Sequence, residues 1–294
     1  MVCRLCRRSA PPKDMPLGRP ADLPDFENPP LAEVVLSVQF SELRAYRTIH
    51  AGILWAQKFR EAFPKVSEHP PLQPVFEAFG PKSPATSRFE LKQLAGPPIP
   101  RLWFVNADDT ELIQFQADRF IHNWRKTGSA GVYPRYESLR ERFFEELDEV
   151  DRFLQGEGIG KIEPNQCEIT YVNVVRLEDG TDIRVRPEIA LRNWSAVAPG
   201  DADPFATLPQ MENVSFAVRY IMQHSGEPIG RLYVSVQPAS EQPALRIDLT
   251  ARGAPSEPTF AAVASFLDQA REAVVRGFTA LTTPDMHRTW RRIK

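Results

Sequence analysis

The densest run of chemistry-bearing side chains is LIQFQADRFIHNWRK, residues 112–126. Read as one extended strand over 111–125, it puts Gln114, Gln116, Asp118, His122 and Trp124 on one face and Arg119, Asn123 and Arg125 on the other, because side chains alternate along a strand. Two amides, a carboxylate, an imidazole and an indole on one face form a set able to hold a polar ligand. Asp118 and His122 also have the residue types for general acid–base work, with Arg125 to steady an anion. A plainer reading makes the segment a solvent-facing strand whose polar groups bond only to their neighbours. Tyr133 and Tyr136, in YPRY, follow and complete the candidate ligand-binding set.

Elsewhere the signals for chemistry are sparse. No P-loop, GxGxxG after a strand, GxSxG, HExxH or EF-hand loop occurs. GEGIG at 156–160 follows a helical pattern instead of a strand and lacks GK[ST], so it reads as a helix stop. The five histidines, His50, His69, His122, His224 and His287, form no HxH or HxxxH pair, so no metal site is expected from them. Asp285 and His287 stand together after the last helical pattern, which a surface turn explains as well as a catalytic pair does. Cys3 and Cys6 form a CxxC without a second half-site, so metal is not expected there either, and no cofactor is implied.

The elements that must position these groups follow from hydrophobic period. Residues 31–40, LAEVVLSVQF, alternate as a half-buried strand behind Pro29 and Pro30. Ile49, Ile53, Ala56, Phe59 and Phe63 recur at helical steps until Pro64. Residues 64–100 carry nine prolines and read as a long loop with one candidate strand at 88–94, although Leu72, Val75, Phe76, Phe79 and Phe89 need burial. A hairpin then joins 101–105 to 111–125. A helix is expected over 136–155, a strand over 167–175, a weak segment over 185–194, three strands at 216–223, 231–237 and 245–251, and a long helix over 259–281. Hairpin-linked strands with helices inserted between groups of them predict an α+β fold: a mostly antiparallel sheet with helices on one face. The element order resembles two unequal copies of one plan. We expect residues 1–27 to be a disordered N-terminal tail, with Met15 an alternative start, and 28–294 to be a single two-lobed α+β domain with a lobe boundary near 165.

Composition limits the function. The chain has 294 residues, 42% of them hydrophobic, with 36 basic and 38 acidic side chains, and it lacks the basic surplus of a general nucleic-acid binder. No run of about 18 apolar residues could span a bilayer as a helix. The first twenty residues have basic side chains and prolines but no apolar signal core, and the three cysteines fit no disulfide scaffold, so the expected location is cytoplasmic.

PPLAEVVLSVQF near the N-terminus, LIQFQ-x-DRF-x-x-NWR with YPRY, GRLYVSV at 230–236 and the closing LDQAREAVVRGFTALTTPDMHRTW resemble a sporadically distributed family of bacterial proteins of about this length. The resemblance extends over 28–290. It implies patchy occurrence, as in mobile or defence gene islands, and no assigned reaction or cofactor.

The first functional reading is a non-enzymatic binding protein, regulatory or accessory. It would use a polar sheet face that includes Gln39, Gln114, Gln116, Arg219, Tyr233, Gln237, Arg246 and Arg252 to hold a protein partner or a small anionic ligand. The alternative is a hydrolase or nuclease-like enzyme centred on Asp118, His122 and Arg125, with His287 as a further candidate. An oligomeric role stays open. Convergence of the three groups in one pocket would favour the enzyme, and an open polar sheet the binder.

Overall fold

Among the described residues, alternating apolar residues and short turns build nine strands: β1 (Leu31–Phe40), β2 (Lys65–His69), β3 (Arg101–Val105), β4 (Glu111–Gln116), β5 (Arg119–Arg125), β6 (Pro164–Val175), β7 (Phe216–His224), β8 (Glu227–Pro238) and β9 (Leu245–Gly253). In the computed structural model, which describes residues 20–80, 99–128, 131–192, 194, 211–239 and 243–294, they form one sheet of order β2-β3-β4-β5-β1-β6-β9-β8-β7. Every neighbouring pair is antiparallel. The fold is α+β, with α1 (Thr48–Leu54, continued by a π-turn at Trp55–Phe59), α2 (Tyr136–Gly156), α3 (Phe260–Leu281) and α4 (Pro284–Thr289).

The order is nearly symmetric about the central β1–β6 pair. Outward from β1 lie β5, β4, β3 and β2; outward from β6 lie β9, β8 and β7. Each flank is a meander followed in the chain by a long helix, α2 on one side and α3 on the other.

One face of the sheet is apolar and carries the helices. Val34, Leu36, Val38 and Phe40 of β1 share it with Phe120, Ile169, Leu249 and Ala251, all buried. Phe59 stacks on Phe104, and Phe143 of α2 packs on Phe120. The buried stripe of α3 runs Val263, Phe266, Leu267, Ala270, Val274 and Phe278. Gly253 admits it closely: a Cβ there would lie 2.6 Å from the Phe266 ring and 2.2 Å from the Ile229 carbonyl oxygen. The GEGIG segment does end α2, with Gly158 at φ +67° and the Ile159 amide bonded back to Leu154.

Several expectations need correction. The return strand 111–125 is two strands, β4 and β5. Residues 65–69, expected in a loop, pair with β3 as a short edge strand although Pro64 and Pro70 bracket them, because those prolines lie just outside the ladder. Of the expected tail, residues 20–27 are ordered: Leu23 and Phe26 are buried, Phe26 against Phe278 and Trp290, and residue 26 bridges to Arg292. Backbone bonds from Asp25, Glu27 and Asn28 to Lys294, Arg291 and Trp290, and an ion pair between Asp25 and Arg135, join these two apolar anchors in docking the segment. Met1 to Arg19, with Cys3, Cys6 and Met15, and the candidate strand 88–94 lie outside the described residues. In the weak segment 185–194 the described residues form a short 3-10 turn at Pro187–Ile189 and a bridge from Leu191 to Thr282. Among the described residues, no helix is long and apolar enough to cross a membrane.

Candidate functional site

Gln116 pairs with Arg119, so Ala117 and Asp118 are the central residues of a two-residue hairpin turn. Cross-strand partners point the same way, and such a turn therefore reverses the parity of the alternation. Gln114 and Gln116 thus share a face with Arg119, Asn123 and Arg125, while His122 and Trp124 fall on the helix-covered face. The one-strand grouping was wrong because it ran the period of two through a turn.

On the helix side, His122 is only 1% exposed, with Nδ1 2.7 Å from Glu146 Oε2. Burial opposes protonation of the ring, and the Glu146 carboxylate outweighs it, so the imidazole titrates above its ordinary value. Trp124 packs on Tyr133, whose hydroxyl lies 3.1 Å from that of Tyr171. The Tyr136 hydroxyl donates to Asp268 at 2.7 Å beneath the Arg271 guanidinium. Tyr133 and Tyr136 line a cleft of about 60 Å³ with Phe26, Tyr171, Asn173 and Arg271. Burial raises the pKa of all three tyrosines.

Asp118, His122 and Arg125 therefore do not converge. Asp118 sits in the turn before β5, Arg125 at the far end of that strand, and His122 between them on the opposite face. His287 is buried against Phe26 and bonds to Thr282 Oγ1 at 2.8 Å, while Asp285 pairs with Arg288. Among the described residues, no group of three or more His, Cys, Asp and Glu side chains is arranged to hold a metal.

The other face is polar, and strand register puts Gln39, Gln114, Gln116, Arg219, Tyr233, Gln237, Arg246 and Arg252 on it together. A relay of side chains crosses it: Arg101 donates to Gln114 at 2.7 Å, Gln114 to Asn123 at 2.8 Å, and Asn123 to Glu33 at 2.7 Å. Like charges crowd the surface. Burial and the neighbouring Arg119 both lower the Arg101 pKa; burial lowers that of Arg119, Asp118 and Glu168 oppose the fall, and Arg252 adds to it.

Residues 70–80 lie across this face as a strap. The Leu72 amide donates to Gln116 Oε1, and Gln116 Nε2 returns a bond to the Leu72 carbonyl, both at 2.9 Å. Gln39 accepts the Val75 amide at 2.9 Å and Gln166 the Glu77 amide at 3.2 Å, while Arg119 donates to the Gln73 carbonyl at 3.1 Å. The strap meets β4, β5, β1, β6 and β8 in their order across the sheet. From β4 to β8 is five strand spacings, roughly 24 Å; six extended residues cover roughly 20–22 Å, and the inward-reaching side chains supply the remainder.

Glu77 closes the far end. Its side chain, 3% exposed, is paired with Arg231, accepts the Tyr233 hydroxyl at 2.6 Å and lies 3.8 Å from Arg252. Arg231 also donates to the Ala78 carbonyl at 2.7 Å and covers the Phe79 ring. Arg219 and Arg252 both lie over the Tyr233 ring.

Sequence reasoning missed Gln166, Glu77 and Arg231. Gln166 lay one residue before the expected strand, although the alternation Gln166, Glu168, Thr170 opposite Cys167 and Ile169 carries the signal. Glu77 was hidden in a proline-rich stretch read as loop. No protein-family model, no curated protein and no solved structure matches the chain.

Proposed function

We propose that this is a non-enzymatic binding protein whose polar sheet face receives an extended polypeptide. The observation that carries the reading is the strap. Gln39, Gln116 and Gln166, on three different strands, aim carboxamides at peptide amides of one segment crossing the sheet. Side-chain amides that bond to backbone recognise conformation more than sequence, as a sheet edge does for an added strand. Burying such groups without partners would be costly, so the face favours an occupant. The separation of Asp118, His122 and Arg125 weighs against the hydrolase or nuclease-like alternative.

The test is capture from a pool of random-sequence peptides of about ten residues by the intact chain and by a Gln39→Ala, Gln116→Ala, Gln166→Ala variant. The reading expects peptides retained by the first and lost by the second, with both proteins melting alike. Equal retention by both, or retention of single-stranded nucleic acid in place of peptide, would overturn it.

A further inference from the structure

The strap is held differently from a core element. Val75, Phe76 and Phe79 are 37%, 63% and 37% exposed, so its apolar side chains are covered only in part, unlike those of the core. Beneath Val75 remains a gap of about 10 Å³ between Gln39, Arg119, Gln166 and Arg252. What fixes the segment is polar: carboxamides at residues 72, 75 and 77, arginines on two carbonyls, and the Glu77 carboxylate among Arg231, Arg252 and Tyr233. Contacts of this kind exchange readily for equivalent contacts from another chain, because water and a second peptide offer the same groups.

The Glu77 seat is the selective part. Burial and then the Glu77 carboxylate raise the pKa of Tyr233, which keeps its hydroxyl a donor toward the seat. With Glu77 lifted away, Arg231, Arg252 and nearby Arg119 face Glu168 on this part of the sheet, where Arg252 is bonded to it. An incoming segment that carries a carboxylate restores the charge-assisted contacts that Arg231 and Arg252 make with Glu77. It also needs amide N–H groups at the positions of Leu72, Val75 and Glu77, which bars proline there. Proline remains compatible with the position of Pro74, which the strap itself fills with one.

We infer that residues 70–80 are a resident competitor for the polar face, and that the ligand they hold off is an extended acidic peptide whose Asp or Glu takes the seat of Glu77. This rests on the peptide-platform reading above and adds its ligand class and its regulation. The protein stays closed to weak or uncharged segments, and an acidic one displaces the strap.

The experiment uses fluorescein-labelled peptides of sequence PPLQPVFEAFG and PPLQPVFQAFG, titrated by anisotropy into the full chain and into its Glu77→Gln variant, which keeps the side chain's shape. The acidic peptide is expected to bind the variant at least about tenfold more tightly than the unaltered chain. It should also bind the variant at least about tenfold more tightly than its glutamine counterpart does, the range of one charge-assisted hydrogen bond. Equal affinity of both peptides for the variant would overturn the acidic requirement and leave the carboxamide platform standing. Equal binding to both proteins would overturn the competition. No binding of either peptide to either protein would overturn the platform reading itself, and a single-stranded oligonucleotide that binds only the variant would overturn the peptide class.

Discussion

Gln116→Ala tests the strap most directly, because one side chain there uses both its donor and its acceptor on a single residue. The substitution removes the two bonds to Leu72, each 2.9 Å long. At about 1 kcal/mol net per bond, opening of the strap at Leu72 becomes easier by about 2 kcal/mol, which is roughly a 30-fold rise in the exchange rate of that amide. The rest of the molecule should not follow. Phe76 is mostly exposed and the bond from Gln116 to Asp118 lies within the turn itself, so the stability read from the urea midpoint should fall by no more than about 1–2 kcal/mol, far less than a core truncation costs. Gln166→Ala removes one longer bond, 3.2 Å to the Glu77 amide, and should accelerate exchange there less than about tenfold. Native-state hydrogen exchange followed by NMR resolves the amides separately. If Leu72 exchanges equally slowly in Gln116→Ala and the unaltered chain, the carboxamides do not hold the strap. If it exchanges together with core amides such as that of Val38, the strap opens only with global unfolding, and the local-release argument fails.

Phe266→Ala should cost about 3–5 kcal/mol, read as a lowered denaturation midpoint, because the ring fills the space over Gly230 and Gly253; an unchanged midpoint would remove α3 from the core. Glu146→Gln should reveal the titration of His122. Since the folded ring binds its proton more tightly than the unfolded chain, whose value is near 6.5, the stabilisation is fully present below that value and is lost as pH rises through the folded one. The variant should therefore be less stable than the unaltered chain by about 1–3 kcal/mol near pH 6, with the gap narrowing in alkaline solution; a gap that widened with pH would refute the ion pair.

Much of the fold was legible because its strands carry their own period. β8 and β9 alternate cleanly, β1 carries Val34, Leu36, Val38 and Phe40 at every second position, and the stripe of α3 runs unbroken from Val263 to Phe278. The polar face was legible for the same reason: Gln39, Tyr233, Gln237, Arg246 and Arg252 each stand opposite apolar neighbours, and the register brings them to one side. Two things were not. The turn at Ala117 and Asp118 contains neither glycine nor asparagine, so nothing local marked where the parity reverses, and His122 was assigned to the wrong face. The strap has no period at all. Its conformation is imposed by side chains from strands far along the chain, and no window of local sequence holds that information.

The central position of the β1–β6 pair has a consequence for how the chain is made. Val38 and Cys167 face each other in the middle of the sheet, yet about 130 residues separate them, a closure costing about 2 kcal/mol more than that of a ten-residue loop. The two meanders need no such closure and can assemble while the seam between them is still open. During synthesis β1 gains β5 well before β6 leaves the ribosome, so for that interval it presents a row of unpaired amides and carbonyls beside an apolar face.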